Sequence, residues 1–109
     1  MDLLLRSLAD GTRRRIIERL AVGPASATEL ARPFEMSLSA VMQHLAILER
    51  SDMVRSEKIG RVRTFHLQTA PLREVEAWLH DQRTGWESRL DRLGDELAGE
   101  NALTEGEDR

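Results

Sequence analysis

Ser39, Met42, Gln43, Ala46 and Arg50 have types and a spacing that suit recognition rather than catalysis. On a helix turning about 100° per residue, all five fall on one arc. That arc mixes small groups, an amide, a thioether and a cation, and it carries no carboxylate. A DNA major groove presents donors, acceptors and phosphates to an inserted helix, and Gln43 can pair bidentately with an adenine edge. The plainer alternative is an amphipathic helix with a solvated polar face.

Catalytic constellations are missing. There is no cysteine, no Gly-rich phosphate loop, no paired histidine and no plausible triad, and the carboxylates fall on expected solvent faces. The chain is therefore not read as an enzyme. His44, His66 and His80 lie on separate elements. A lone His80 suits a surface or interface side chain better than a metal ligand. No metal or other cofactor is expected.

The element that must carry the recognition arc is a helix over 37–50, SLSAVMQHLAILER. Ser37 is suited to cap it, and Val41, Leu45 and Leu48 at i, i+4 and i+7 give it a buried face. Before it, Ser26-x-x-Glu29 forms a capping box for a short helix over 26–32, and Pro33 ends that helix. Short helix, tight turn and second helix is the layout of a helix-turn-helix. Asp10 can cap an earlier helix over 12–21, whose stripe is Ile16, Ile17 and Leu20 and which Gly23-Pro24 closes. Arg13, Arg14 and Arg15 open it, beside the positive end of its dipole. Asp10, Glu18 or a phosphate should compensate them. Residues 2–9 read as a short helix with Leu4, Leu5 and Leu8 on one side, which must pack on another element.

After Arg50, the runs 54–59 and 62–67 read as a β-hairpin around Gly60-Arg61. Arg55, Lys58, Arg61 and Arg63 surround its turn with only Glu57 against them, which suits phosphate or minor-groove contact. A charge-guarded edge hairpin is the alternative. A long last helix starts near Thr69-Ala70-Pro71 and carries Leu72, Val75, Trp78, Leu79, Trp86, Leu90, Leu93 and Leu97. Leu79, Trp86 and Leu93 are seven apart, a sign of pairing along a seam. Gly85 and Gly94 each cost that helix about 1 kcal/mol relative to Ala. The stretch 99–109, GENALTEGEDR, is poor in apolar residues and is expected to be a disordered acidic tail.

A chain of 109 residues is expected to form one domain, here over 1–98, with a modest core that a second copy would help stabilise. Its net charge is −3, but the distribution matters more. Residues 1–67 hold 11 Lys/Arg against 8 Asp/Glu, while residues 68–109 hold 5 against 11. The front is basic and the back acidic, as in a protein that meets phosphate at one end only. No apolar stretch approaches the ~20 residues needed to span a bilayer, and no signal-peptide pattern opens the chain. No membrane partner is expected, and the expected location is the cytoplasm.

The order of these elements resembles the ArsR/SmtB family of winged helix-turn-helix regulators. LADGTRRRIIERL resembles that family's opening "ADPTR" helix, with Gly11 where proline is common. SLSAVMQHLAILERSDMV resembles its recognition helix, and KIGRVRTFHL its wing. The likeness covers residues 3–69, and the two tryptophans and RLD string of AWLHDQRTGWESRLDRL resemble a branch that does not sense metals. The resemblance implies a mainly α fold with a small β-hairpin, dimerising through its first and last helices. It implies paired recognition helices in adjacent major grooves of double-stranded DNA, flanked by the wings. Ser37, Ser39, Met42, Gln43 and His44 match groove- or phosphate-facing positions, and Arg61 and Arg63 match basic wing positions. His44 would donate to the DNA backbone. Leu38 and Met42 are apolar where polar residues are frequent, and they could meet a thymine methyl or shift weight to DNA shape. The family's metal sites need cysteines or paired histidines that this chain lacks.

The expected function is a homodimeric, sequence-specific transcriptional repressor binding a pseudo-palindromic operator without a metal. Ser37, Ser39, Met42, Gln43 and His44 would contact DNA, with Arg50, Arg55, Lys58, Arg61 and Arg63 adding sequence-independent affinity. Leu4, Leu5, Leu8, Leu79, Trp86, Leu90 and Leu93 would form the dimer interface. Trp78 and Trp86 could bound a small-molecule effector site between the last helices, though dimer packing explains them more simply. The alternative function is a winged-helix protein-interaction module that does not bind DNA.

Overall fold

Side-chain caps set where three of the helices in this computed structural model begin. The structure describes the backbone of residues 1–108 and the side chains of residues 1–99. Helix α1 spans Asp2–Leu8 and α2 spans Gly11–Val22. Asp10 caps α2, its carboxylate accepting from the Arg13 N–H at 3.0 Å. Strand β1 (Ala25–Ser26) leads into α3 (Ala27–Ala31), where the capping box forms as expected: Glu29 N–H donates to Ser26 Oγ at 3.2 Å, and the Ser26 N–H donates back to Glu29 Oε1. Ser37 Oγ accepts from the Ala40 N–H at 3.1 Å and starts α4, Leu38–Arg50.

A Schellman motif ends α4. The Met53 N–H reaches Leu48 O and the Asp52 N–H reaches Glu49 O, both at 3.0 Å. The geometry puts Asp52 at φ 60°, the left-handed position glycine usually takes. Strands β2 (Val54–Ile59) and β3 (Val62–Leu67) follow, with Gly60 at φ 65° in the loop, as a type II′ turn demands of its first residue. The sheet is antiparallel in the order β1-β3-β2. The sequence pattern anticipates the hairpin but not β1, whose Ala25 pairs with Phe65. Helix α5 spans Ala70–Asp108.

The described chain forms two compact units, Met1–Val75 and the chain from Glu76 onward. In the first, Ile16 and Leu20 of α2, Leu30 of α3 and Val41, Leu45 and Leu48 of α4 surround Met53, Val54 and Phe65. Leu4 and Val75 belong to the same core. Leu4 and Leu8 therefore differ from their expected place in a dimer interface. Leu4 is 5% exposed and Leu8 packs against the same core, while Leu3 and Leu5 face outward.

In the second unit the helix continues unbroken through Gly85 and Gly94. Extending a formed helix adds one hydrogen bond per residue without a new nucleation cost. The backbone of residues 99–108 belongs to the same helix. Arg109 lies outside the described residues. Among the described residues, no helix is long and apolar enough to cross a membrane.

Candidate nucleic-acid interface

Helix α4 separates its two faces completely. Val41, Leu45 and Leu48 are fully buried, while Ser39, Met42, Gln43, Ala46 and Arg50 are all exposed. Burying the apolar stripe fixes the rotation of the helix, and that rotation presents Ser39, Met42 and Gln43 to solvent. Ser37 is exposed beside them, its oxygen engaged by the Ala40 N–H and its hydroxyl hydrogen free to donate.

His44 stands differently from the expectation. It is half-buried, and its Nδ1 lies 3.3 Å from Arg13 Nη1 and 3.9 Å from Asp10 Oδ2. A guanidinium only donates, so Nδ1 accepts from Arg13 in the neutral ring and faces the Asp10 carboxylate when the ring is protonated. His44 thus ties α4 to the start of α2 through Nδ1, and only Nε2–H is left to reach a phosphate.

Two of the arginines that open α2, Arg13 and Arg14, meet the C-terminal end of α1. Arg13 Nε donates to Ser7 O at 2.7 Å and its Nη2 to Arg6 O at 3.0 Å. Arg14 Nη1 donates to Leu8 O at 2.8 Å. These carbonyls lie at the C-terminal end of α1, where a cation is favoured, and Arg6 O also accepts from the Ala9 N–H. Arg15 stacks over the Phe34 ring, 4.6 Å from its centroid. Asp10 sits in the same cluster. The Arg13 backbone N–H holds its carboxyl below the ordinary value of 3.8, helped by the charges of His44 and Arg13 and opposed by burial.

On the hairpin, Lys58 and Arg63 are directly opposite in register, and Arg61 follows Gly60 in the loop. Arg63 Nη1 donates to Ser56 Oγ at 2.8 Å. Like charges facing each other across strands are destabilising, and an anionic partner would relieve them. On the other face of the tip, Ile59 opposes Val62 and both are exposed. The period-2 alternation of side chains along the strands places this apolar pair on one face.

The remaining two cations stand apart from the tip. Arg55 lines a cleft of about 480 Å³ with Glu49, Asp52 and Gln68. Arg50 lines another with Met1, Leu3, Pro71 and Glu74. Both clefts also hold carboxylates. On α5, Leu79, Trp86, Leu90 and Leu93 are exposed, as are Trp78 and Leu97. Among the described residues, no three His, Asp or Glu side chains gather where they could hold a metal ion.

Comparison with known proteins agrees with this architecture. Residues 8–57 match a family described as a helix-turn-helix domain. The chain is 38% identical over 99 residues to the HTH-type transcriptional regulator Rv2034 of Mycobacterium tuberculosis, covering 87% of this chain and 92% of that one. It is 27% identical over 79 residues to the transcriptional repressor SdpR of Bacillus subtilis, covering 72% and 88%. Among solved structures, the ArsR family transcriptional regulator RHA00566 is 46% identical with a TM-score of 0.76, covering 80% of this chain and 90% of that one. An ArsR-like transcriptional regulator from Rhodococcus sp. RHA1 is 28% identical with a TM-score of 0.74, covering 84% and 87%. An exposed, carboxylate-free helix face, a basic hairpin and this kinship lead to one conclusion: the chain belongs to the ArsR family of helix-turn-helix, DNA-binding transcriptional regulators.

Proposed function

We propose that the chain acts in the cytoplasm as a homodimeric repressor that binds a pseudo-palindromic operator and needs no metal ion. One observation carries the reading: α4 exposes Ser39, Met42 and Gln43 while its opposite side is locked into the core. In each half-site Gln43 pairs with an adenine edge, and Ser37 and Ser39 bond to a base or phosphate. Lys58, Arg61 and Arg63 neutralise phosphates beside the groove. The exposed α5 stripe of Leu79, Trp86, Leu90 and Leu93 supports pairing with a second copy, joined by Leu3 and Leu5 of α1. Two-fold symmetry then requires half-sites about one helical turn apart. Repression follows from occupying a promoter.

The test is a mobility shift with genomic fragments, repeated across salt concentrations. Three wing cations per protomer make six phosphate contacts in a dimer, so log K against log[salt] should slope at about −5. Sedimentation should give twice the chain mass, and Leu93→Asp should shift it to the monomer. Chelator or added metal should leave the shift unchanged. A monomer, or a dimer that binds no duplex at low salt, defeats the reading.

A further inference from the structure

Two large apolar side chains stand exposed on α4: Leu38 is 49% and Met42 40% accessible. They are one helical turn apart and flank Ser39 and Gln43, which are also exposed. Leu38 and Met42 border the stripe of Val41, Leu45 and Leu48 that enters the core, yet both stay about half accessible, so packing within the unit covers them only in part. A single exposed apolar residue needs no explanation. Two on successive turns, among polar groups suited to base edges, do. The apolar group that the major groove offers is the thymine C5-methyl.

Resting on the DNA-binding reading above, we infer that Leu38 and Met42 are specificity-determining residues that read thymine methyl groups. Four residues of helix rise about 6 Å, and neighbouring bases on a strand are about 3.4 Å apart. The two side chains therefore reach thymines within about two steps of each other. An A·T pair shows the thymine methyl and the adenine N6/N7 edge in the same groove. Gln43 takes the adenine of the pair whose methyl meets Met42, or of its neighbour. Each half-site thus contains a short A·T block, selected by methyl contacts and one amide together.

The experiment uses the full chain and an operator recovered by sequencing bound genomic fragments. Each thymine of a half-site is replaced in turn by deoxyuridine, which removes only the methyl, and affinity is measured by fluorescence anisotropy. The unmodified protein should lose about fourfold at each contacted thymine, the value of burying one methyl-sized group. Met42→Ala should bind the thymine operator more weakly and stop distinguishing thymine from uracil at one position. Leu38→Ala should do the same at a different position. Both side chains are exposed, so both variants should keep the parent unfolding temperature. Undiminished affinity at every deoxyuridine overturns this inference and leaves the regulator reading standing. Failure to bind any fragment overturns both.

Discussion

Arg13 Nη1 lies 3.3 Å from His44 Nδ1, and through this contact the first turn of α2 holds the recognition helix. The same guanidinium bonds Ser7 O and Arg6 O, so one side chain joins α1, α2 and α4. The DNA-facing helix is thus positioned from behind by a polar clasp as well as by its apolar stripe.

Removing that clasp should be costly. Arg13→Ala removes the side-chain donor to Ser7 O and one of two donors to Arg6 O, and should destabilise the chain by about 2 kcal/mol, given charge-assisted bonds worth about 1.5–3 kcal/mol each and partial exposure. Arg13→Lys keeps the charge but not the planar fork, and should restore less than half. Urea unfolding monitored by circular dichroism checks both; an unchanged midpoint for Arg13→Ala would mean that the clasp does not stabilise the fold.

Asp10 should make stability pH-dependent on the acid side. Its folded-state pKa lies below the ordinary 3.8 because the carboxylate accepts from the Arg13 N–H and faces the Arg13 and His44 charges. A depressed carboxyl contributes stability that is present above the unfolded value and lost as pH falls through the folded one. Stability should therefore decline below about pH 4. Asp10→Asn keeps a good N-cap and should flatten that decline by lowering stability at pH 7 toward its acid value. Unfolding midpoints between pH 3 and pH 7 provide the measurement.

Asp52 occupies a left-handed position at φ 60°. Such a conformation costs a side-chain-bearing residue more than it costs glycine, though glycine loses more entropy on folding. Asp52→Gly should stabilise the chain by about 0.5–1 kcal/mol, seen as a higher urea midpoint at constant slope. A lower midpoint would mean that the aspartate side chain supports the turn.

At the interface, base readers and phosphate-binding cations should respond differently. Gln43→Ala should cost about 1–3 kcal/mol and relax preference at one position per half-site. Arg61→Ala should weaken all sequences alike and reduce the salt slope by about 1 for each phosphate no longer neutralised. Uniform weakening by Gln43→Ala would show that Gln43 does not read a base, and an unchanged slope for Arg61→Ala would take the loop out of the complex.

Much of this molecule is legible in sequence because its signals act within about four residues. Asp10, the Ser26–Glu29 box and Ser37 bond to their own first turns, and Gly60 supplies its own turn's backbone. The period of Val41, Leu45 and Leu48 alone specifies which side of α4 faces water, and so the Ser39, Met42 and Gln43 face. Other placements depend on partners far along the chain. Strand β1 exists because Ala25 meets Phe65. His44 turns inward because Arg13 is there, and Leu4 is buried while Leu5 is not because α1 docks on one side only. Arg50 and Arg55 look like their cationic neighbours in sequence, but packing sets them in clefts whose walls also include Glu74 and Glu49. Capping and periodicity are local energies that a sequence states directly. Which distant groups share a cluster follows from how the helices pack, and only the tertiary structure decides that.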